Sequence, residues 1–420
     1  MSVTRRGFLK GACVAPLAWG IGSPVPHLLR RALAESEKKV DGPILVVVQL
    51  SGGNDGLNTV VPFQDERYRQ ARPKLAIPAA DVLKLSDGLG LHPALRGFAD
   101  LWEREQLAIV QGVGYPQPNR SHFESMDIWH TCLRKSDPRT DGWLGRSLDQ
   151  WSATRSASDP LALHLGSEKQ PLALVSRQVR VPSIRSLDQF RLNAGEEREA
   201  ISQLVKAQRA DDEDDLLSFV QTSTASAIDV SGRFGKLRDG GAKPHDYPAT
   251  ALGAKLSTVS QLIAAGLETR IYYVELDGFD THAQQPAAHS SLLKQLGDAV
   301  QALNRHMADL GLGDRVLTLC FSEFGRRVAE NASDGTDHGA AAPVFLVGNR
   351  VAPGLIGTHP RLDDLDQGDL KFHTDFRQIY AAILDGWLGV SSDKVLGGKF
   401  DAVPAIRATN SASGVKSDND

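Results

Sequence analysis

The sequence predicts an α/β fold, with a doubly wound, mostly parallel sheet and helices on both of its faces. Three observations lead to this prediction. Short apolar runs recur along the chain, stretches with apolar residues at helical spacing separate them, and each run ends in a loop rich in Gly, Asp, Asn or His. Strands that alternate with helices pair most readily as parallel neighbours in one sheet, which the helices cover.

Five apolar runs are predicted as strands. The first, residues 44–50 (ILVVVQL), is a continuous β-branched run, which is typical of a strand buried on both faces. The others are residues 107–111 (LAIVQ), 271–276 (IYYVEL), 316–321 (VLTLCF) and 344–347 (VFLV). In sheets of this kind ligands bind beyond the carboxyl ends of the strands, so we look for a site in the loops that follow these runs.

Apolar residues at helical spacing predict a helix over residues 249–266 and another over 290–310. A third helix begins after Thr374 or Asp375, since either residue suits the N-cap position.

Two segments differ in composition from the rest of the chain. Residues 180–250 are rich in Glu, Asp, Ala, Gln and Ser and predict a helical insertion. The α/β domain that contains this insertion is predicted to span residues 35–406. Residues 407–420 have no apolar periodicity and predict a disordered tail.

Residues 1–34 have the pattern of an export signal. Arg5 and Arg6 form a twin-arginine n-region, a short and mildly apolar stretch follows, and residues 32–34 (ALA) form an A-x-A cleavage site. The apolar stretch is shorter than the roughly 20 residues that span a membrane, so we expect no stable membrane span in the mature form. The pattern predicts a periplasmic protein whose partner during export is the twin-arginine translocase.

The charge balance disfavours nucleic acid as a partner. Removal of residues 1–34 takes away five of the 47 basic residues and none of the 51 acidic ones, so the mature chain is acidic. With only three cysteines, of which Cys13 lies in the signal, a disulfide framework is not expected.

The loop after the first strand, residues 52–56 (GGNDG), projects the carboxylate of Asp55 from a tight turn. A metal ligand and a simple turn residue that caps the next segment both explain Asp55, and the turn explains this motif alone better.

The segment 119–129 (NRSHFESMDIW) follows the second strand. Ser121 suits the N-cap of a helix, and Glu124 three residues later would complete a capping box. A hydroxyl at a helix N-terminus also suits a nucleophile that attacks a phosphoryl or sulfuryl centre, with Arg120 holding the oxygens of the substrate.

The loop after the third strand carries two carboxylates and an imidazole within six residues, Asp277, Asp280 and His282. Aspartate and histidine together at the carboxyl end of a strand are ligands that a divalent cation such as Zn²⁺ or Mn²⁺ accepts. We favour a metal site over a purely structural loop here.

The stretch 321–348 (FSEFGRRVAENASDGTDHGAAAPVFLVG) crowds Glu323, Asp337 and His338 between two predicted strands. The hypothesis is that these side chains converge with the preceding loop on one divalent cation or more, with Zn, Mn, Ca and Mg all open. Arg326 is a second candidate to hold the oxygens of a small anionic ester substrate.

These motifs resemble those of a bacterial family catalogued as domain of unknown function 1501. The resemblance rests on the twin-arginine signal, the GGNDGLN turn, the NRSHF segment, the DGFDTHAQQ loop and the SEFGR and DHG pair, and covers residues 44–389. More distantly, the order of the loops is similar to that of the alkaline phosphatase and sulfatase superfamily. That similarity implies metal ligands at Asp55, at Asp277 or Asp280 and at His282, and a nucleophile at Ser121.

The sequence departs from the superfamily pattern after the strand VLTLCF. Phe324 stands where an imidazole is expected and cannot bind a metal, although Glu323 would replace an aspartate. His338 aligns either within a displaced Asp-His-Gly motif or as the final histidine before Pro343, and the distance to the last strand favours the second alignment.

Two classes of function follow from this reading. The first is an exported metal-dependent hydrolase or transferase that acts on a phosphate or sulfate ester. The alternative is a non-catalytic periplasmic binding or assembly protein on a degenerate alkaline-phosphatase-like scaffold, for which Phe324 is the best argument. A cofactor-dependent oxidoreductase lacks support, because the sequence has neither a cysteine cluster nor a GxGxxG turn.

Overall fold

A computed structural model describes residues 42–153, 159–185 and 246–407. The predicted export signal, residues 186–245 of the predicted helical insertion and residues 408–420 of the predicted tail lie outside the described residues.

The described strands are, in chain order, β1 (Ile44–Ser51), β2 (Val60–Val61), β3 (Leu83–Lys84), β4 (Gly90–Leu91), β5 (Leu107–Gly114), β6 (Ala162–Leu165), β7 (Ser183–Ile184), β8 (Ile271–Asp277), β9 (Val316–Phe321), β10 (Ala342–Val347), β11 (Gly354–Ile356), β12 (Leu365–Asp366), β13 (Asp369–Leu370) and β14 (Thr374–Asp375). The described α-helices are α1 (Glu66–Ala71), α2 (Arg96–Glu103), α3 (His122–Thr131), α4 (Trp143–Ser152), α5 (Ala251–Ala264), α6 (Gln285–Asp309), α7 (Phe376–Ile383) and α8 (Ser392–Leu396). All five strands predicted from apolar runs are present, and β7 occupies the start of the predicted insertion.

The central sheet has the order β11-β5-β10-β9-β1-β8-β6-β7, with β14 beside β5. Strand β1 pairs in parallel with β8 and β9, so the carboxyl ends of all three lie at one edge. Among the described strands of this sheet, β10 alone runs antiparallel to its neighbours, β9 and β5. Because β10 starts at the edge where β9 ends, the connection of residues 322–341 begins and ends there, which explains why its polar residues lie between two buried strands.

The sheet buries both of its faces, as predicted. On one face Val46, Val48 and Leu50 of β1 pack with residues of α2, α5 and α6. On the other face Leu45 and Val47 pack with residues of α3, α4 and α7. Alternate residues of one strand therefore belong to two separate hydrophobic cores, which requires the continuous apolar run of β1.

Helix α7 begins as predicted, with Asp375 as its N-cap. The Asp375 side chain accepts from the Arg377 backbone N–H, and Gln378 completes a capping box. Helix α6 is longer than predicted and begins at Gln285, with a proline in its first turn, a position where proline loses no hydrogen bond. None of the helices in the described part of the chain is both long and apolar enough to cross a membrane.

Candidate metal centre

A cleft of about 710 Å³ opens at the carboxyl edge of the sheet. It is lined by Gln49, Ser51 and Gly52 of β1 and its loop, by His122, Phe123, Met126, Asp127 and His130 of α3, by residues 169–172 and Val175, and by Asp277, Asp280 and Glu323. The loops after β1, β8 and β9 and the start of α3 thus meet at one place.

One carboxylate oxygen stands at the centre of a histidine cluster. Asp280 Oδ1 lies 3.0 Å from His282 Nε2, 3.0 Å from His338 Nε2 and 3.4 Å from His122 Nε2. The ligand atoms of His122, Asp280 and His338 all lie within 4.8 Å of one another. We refer to these three residues, together with His282 beside Asp280 and His338, as the candidate metal centre.

Each imidazole of the centre is held from behind through Nδ1. His122 Nδ1 lies 2.8 Å from Glu323 Oε1. His338 Nδ1 lies 2.8 Å from the Arg120 backbone carbonyl oxygen. His282 Nδ1 lies 3.2 Å from Asp337 Oδ1. When Nδ1 donates to such an acceptor, the neutral ring presents the Nε2 lone pair on its other side, as metal-ligating histidines do.

The arrangement of the Nε2 atoms fits a cation. His282 Nε2 and His338 Nε2 are 2.9 Å apart, so two lone pairs would repel each other unless a proton or a cation lies with them. His122 Nε2 is buried and has no hydrogen-bond partner. A buried polar atom of this kind is costly unless a ligand satisfies it, and a metal ion is such a ligand.

The electrostatics of the centre are those of a site that attracts positive charge. The hydrogen bond from His122 Nδ1 to the Glu323 carboxylate and the nearby charges of Glu323 and Asp280 raise the pKa of His122, although partial burial opposes this. Partial burial alone would raise the pKa of Asp280, but the hydrogen bond from the Arg326 guanidinium and its positive charge outweigh burial and lower that pKa to about 2. Asp280 is therefore charged at neutral pH.

Arg326 is fully buried and fixes the loops that carry the centre. Its guanidinium donates to the backbone oxygens of Gly53, Thr336 and Phe279 at 2.7 to 2.9 Å and to Asp280 Oδ1 at 2.7 Å. Because its donors bind backbone oxygens and Asp280, Arg326 holds the loops of the centre in place. It was predicted to hold the oxygens of a substrate, but these donors are already occupied.

Phe324 supports two of the imidazoles. Its buried ring lies 4.9 Å, centroid to centroid, from both His122 and His338. Gly53 makes room for this ring, since a Cβ there would lie 2.4 Å from Phe324 Cε2. The phenylalanine that replaces an expected imidazole is thus a packing surface for the rings of the centre.

The structure brings Asp280, His282 and His338 together, and it gives three other predicted ligands different positions. The Glu323 oxygens bind His122, the Gly52 backbone N–H and the Ser322 hydroxyl, so Glu323 orients an imidazole from behind. Asp337 does the same for His282. Asp277 is exposed, and its Oδ1 accepts from the backbone N–H of Gly278.

Asp55 lies in a buried ion pair away from the centre. Its Oδ2 is 2.6 Å from Arg72 Nη1, and both side chains are fully buried. Burial alone would raise the pKa of Asp55, but the Arg72 guanidinium outweighs burial and lowers it. Arg72 also donates to Asn58 and to the Val328 backbone, so the pair joins the loop after β1 to the connection between β9 and β10.

Arg120 and Ser121 immediately precede His122 in the sequence. Ser121 is the exposed N-cap of α3, but its hydroxyl forms no capping hydrogen bond, and Glu124 pairs with Arg139 instead of completing a capping box. The Arg120 guanidinium pairs with the buried Asp369, at 2.8 Å from Nε, while its backbone carbonyl binds His338.

His122 is the member of the centre that was not predicted from the sequence as a metal ligand. It lies between Ser121, the predicted nucleophile, and Phe123. The signal in the sequence was a histidine at the first position of a predicted helix. His282 and His338 lie in the loops after two of the predicted strands, at the edge of the sheet where ligands bind.

The fold and the cluster together define an α/β protein with a candidate divalent-metal centre at the carboxyl edge of its sheet. Residues 43–397 match the model of a family described as "Protein of unknown function (DUF1501)". The chain belongs to this family, which confirms the resemblance drawn from its motifs.

Several solved structures are similar to this chain at low identity. The C-terminal periplasmic domain of EcEptC from Escherichia coli in complex with Zn has 8% identity and a TM-score of 0.34, covering 74% of this chain and 75% of that one. The PsFucS1 sulfatase from Pseudoalteromonas sp. has 10% identity and a TM-score of 0.34, covering 89% and 72%. These matches are consistent with the distant resemblance, but at such TM-scores they carry no argument about activity. The search of curated proteins found no match.

Proposed function

We propose that the chain is an exported metal-dependent hydrolase or transferase that acts on a phosphate or sulfate ester. The observation that carries this proposal is the convergence of three imidazole Nε2 atoms on one carboxylate oxygen, with each Nδ1 facing an acceptor. Structural histidines rarely need this arrangement, whereas a metal site needs both the convergence and the acceptors behind the rings.

The donor set favours Zn²⁺ or Mn²⁺. Three nitrogens and one carboxylate oxygen suit these cations, whereas Mg²⁺ and Ca²⁺ prefer oxygen ligands throughout. A dication held by His122, Asp280, His282 and His338 would neutralise charge on the transferring group and polarise its oxygens.

The residues around the centre have supporting roles in this proposal. Glu323, Asp337 and the Arg120 carbonyl hold the three rings in the tautomer that offers Nε2. Arg326 fixes the Asp280 carboxylate. Ser121 remains our candidate nucleophile because its hydroxyl is exposed on the residue before His122, at the N-terminus of α3.

The alternative is a non-catalytic periplasmic binding or assembly protein on a degenerate alkaline-phosphatase-like scaffold. The observation in its favour is that Asp55 and Arg120 pair with Arg72 and Asp369, which removes two groups that would otherwise serve the transferring group. The two functions differ in turnover, whether or not the binding protein keeps the metal.

The deciding experiment compares matched histidine variants of the purified mature chain. We expect about one equivalent of Zn or Mn by mass spectrometry in the wild type and in His373→Ala, an exposed histidine outside the centre, and a large loss in His122→Ala and His338→Ala. Hydrolysis of 4-nitrophenyl phosphate or sulfate should fall with the metal and with Ser121→Ala. Metal-loaded protein without turnover of any ester would support the alternative, and protein that neither binds a dication nor turns over any ester would overturn the metal-dependent enzyme.

A further inference from the structure

The cleft beside the candidate metal centre has apolar walls. Phe123, the residue after His122, is 86% exposed. Among the described residues, the only other exposed large hydrophobic residue is Leu310, at 40%. Met126 lies one turn further along α3 and lines the same cleft. Pro171, Leu172 and Val175 contribute a second apolar group to it.

The polar groups on the floor of the cleft already satisfy one another. Gln49 Nε2 donates to Ser51 Oγ at 2.7 Å, and Gln49 Oε1 lies 2.9 Å from His130 Nε2. Tyr273 also donates to Gln49 Oε1. Burial lowers the pKa of His130 to about 3, so this ring is neutral. This floor therefore offers few free donors or acceptors to a hydroxyl-rich ligand such as a sugar. The other polar side chains that line the cleft, besides those of the candidate metal centre and Glu323, are Asp127, Lys169, Gln170 and Asp277.

The size of the cleft also exceeds what a bare anion needs. A volume of about 710 Å³ lies within the range of roughly 300 to 1,000 Å³ that encloses an organic ligand. His122 and Asp280 line the same cleft as Phe123 and Met126, so an anionic group at the metal places its organic part against apolar walls.

We infer that the ester bound at the candidate metal centre carries an apolar alkyl or aryl group, which packs against Phe123 and Met126 and against Pro171, Leu172 and Val175. This inference rests on the proposed function and deepens it. When a ligand covers an apolar side chain that is exposed at the entrance of a cleft, the burial of apolar surface lowers the free energy of binding.

The test measures binding of alkylphosphonates to the zinc-loaded chain by calorimetry, with methyl-, propyl- and pentylphosphonate as the series. We expect each added methylene to tighten binding by up to about fourfold, which corresponds to ~0.8 kcal/mol. Propylphosphonate should also bind more tightly than 2-hydroxyethylphosphonate, which has the same number of heavy atoms and a polar end.

A pair of matched variants tests the walls directly. The double variant Phe123→Ala, Met126→Ala should lose most of the gain from methyl to pentyl and keep its affinity for methylphosphonate and its zinc content. Leu310→Ala, which removes an exposed apolar side chain outside the cleft, should keep the whole gain.

The outcomes separate this inference from the proposed function. A flat series with methylphosphonate bound, or tighter binding of the hydroxyethyl compound, overturns the apolar site and leaves the metal centre standing. If the zinc-loaded chain binds none of these phosphonates and none of the matching alkyl sulfates, the apolar site and the proposed function both fail. A steep series without ester turnover supports the apolar site and favours the non-catalytic alternative.

Discussion

The carboxylate of Glu323 determines which nitrogen of His122 faces the cleft. It accepts from Nδ1 at 2.8 Å, and the Gly52 backbone N–H and the Ser322 hydroxyl hold its position. A buried carboxylate with three fixed donors cannot rotate towards a cation without losing them. Its effect on metal binding is therefore exerted through the imidazole.

We expect Glu323→Gln to weaken zinc binding by about 10-fold to 100-fold, because an amide retains the shape and loses the charge that makes the imidazole a better ligand. Competition with a chelator of known affinity measures this. Asp277→Asn is the matched control, since this exposed carboxylate is outside the centre, and it should change affinity by less than about twofold. Equal losses in both variants would mean that only the charge of the cleft matters.

The pair of Asp55 and Arg72 acts on stability. Arg72→Met leaves a fully buried carboxylate without its cation, so we expect a loss of about 3 to 5 kcal/mol in the free energy of unfolding, measured in urea. Arg67→Met removes the exposed pair with Asp363 and should cost less than about 1 kcal/mol. Because the pKa of Asp55 is lowered on folding, its contribution is complete above the ordinary value of 3.8 and is lost as the pH falls below that value.

At the scale of single residues, the sequence allowed Asp280, His282 and His338 to be named because each follows a strand in an unusual loop. It did not reveal that Asp55 pairs with Arg72, since the pairing depends on α1 folding back over the loop after β1. Residue type predicted which groups are capable of binding a cation, and only tertiary packing decides which of them are already paired.

Among the elements, the loop after β1 is fixed by a close backbone contact with the loop after β8. Gly52 has a φ of +114°, and a Cβ at this position would lie 2.3 Å from the Asp280 backbone nitrogen. Glycine is therefore required here for two reasons: other residues rarely adopt this backbone conformation, and the contact leaves no room for a side chain. The position of Asp280 in the centre depends on it.

We expect Gly52→Ala to weaken zinc binding at least tenfold and to destabilise the chain by more than about 2 kcal/mol. Gly354→Ala separates strain from collision, because Gly354 has a similar φ of +118° with nothing within 4 Å of the added Cβ. This control should lose only about 1 to 2 kcal/mol and keep its zinc affinity, as measured by urea unfolding and chelator competition. Unchanged zinc binding in Gly52→Ala would show that the contact does not position Asp280.

The order and type of the main elements were predictable, because buried strands and amphipathic helices follow from local apolar patterns. The direction of β10 was not, since an apolar run of six residues reads alike in either direction. That direction matters for the site. A parallel β10 would begin at the opposite edge of the sheet and would take Asp337 and His338 away from the loop after β8.

In the molecule as a whole, the residues of the candidate metal centre come from α3, from the loop after β8 and from the connection before β10. Positions 122 and 338 are more than 200 residues apart, so the centre exists only once the sheet has assembled. An unfolded chain offers no such cluster, so the metal binding that we propose is coupled to folding. This fits our proposal of twin-arginine export, a route that carries folded proteins with their metals.

The final prediction concerns the order of metal loading and export. In cells that make the full chain, we expect replacement of Arg5 and Arg6 by lysine to stop export, so that a precursor with residues 1–34 intact accumulates in the cytoplasm. Because the centre forms when the sheet folds, the retained precursor should carry as much metal per chain as the exported wild type. Fractionation, mass spectrometry of the N-terminus and metal analysis measure this. A processed variant in the periplasm would exclude the twin-arginine route, and a metal-free precursor would show that loading takes place after export.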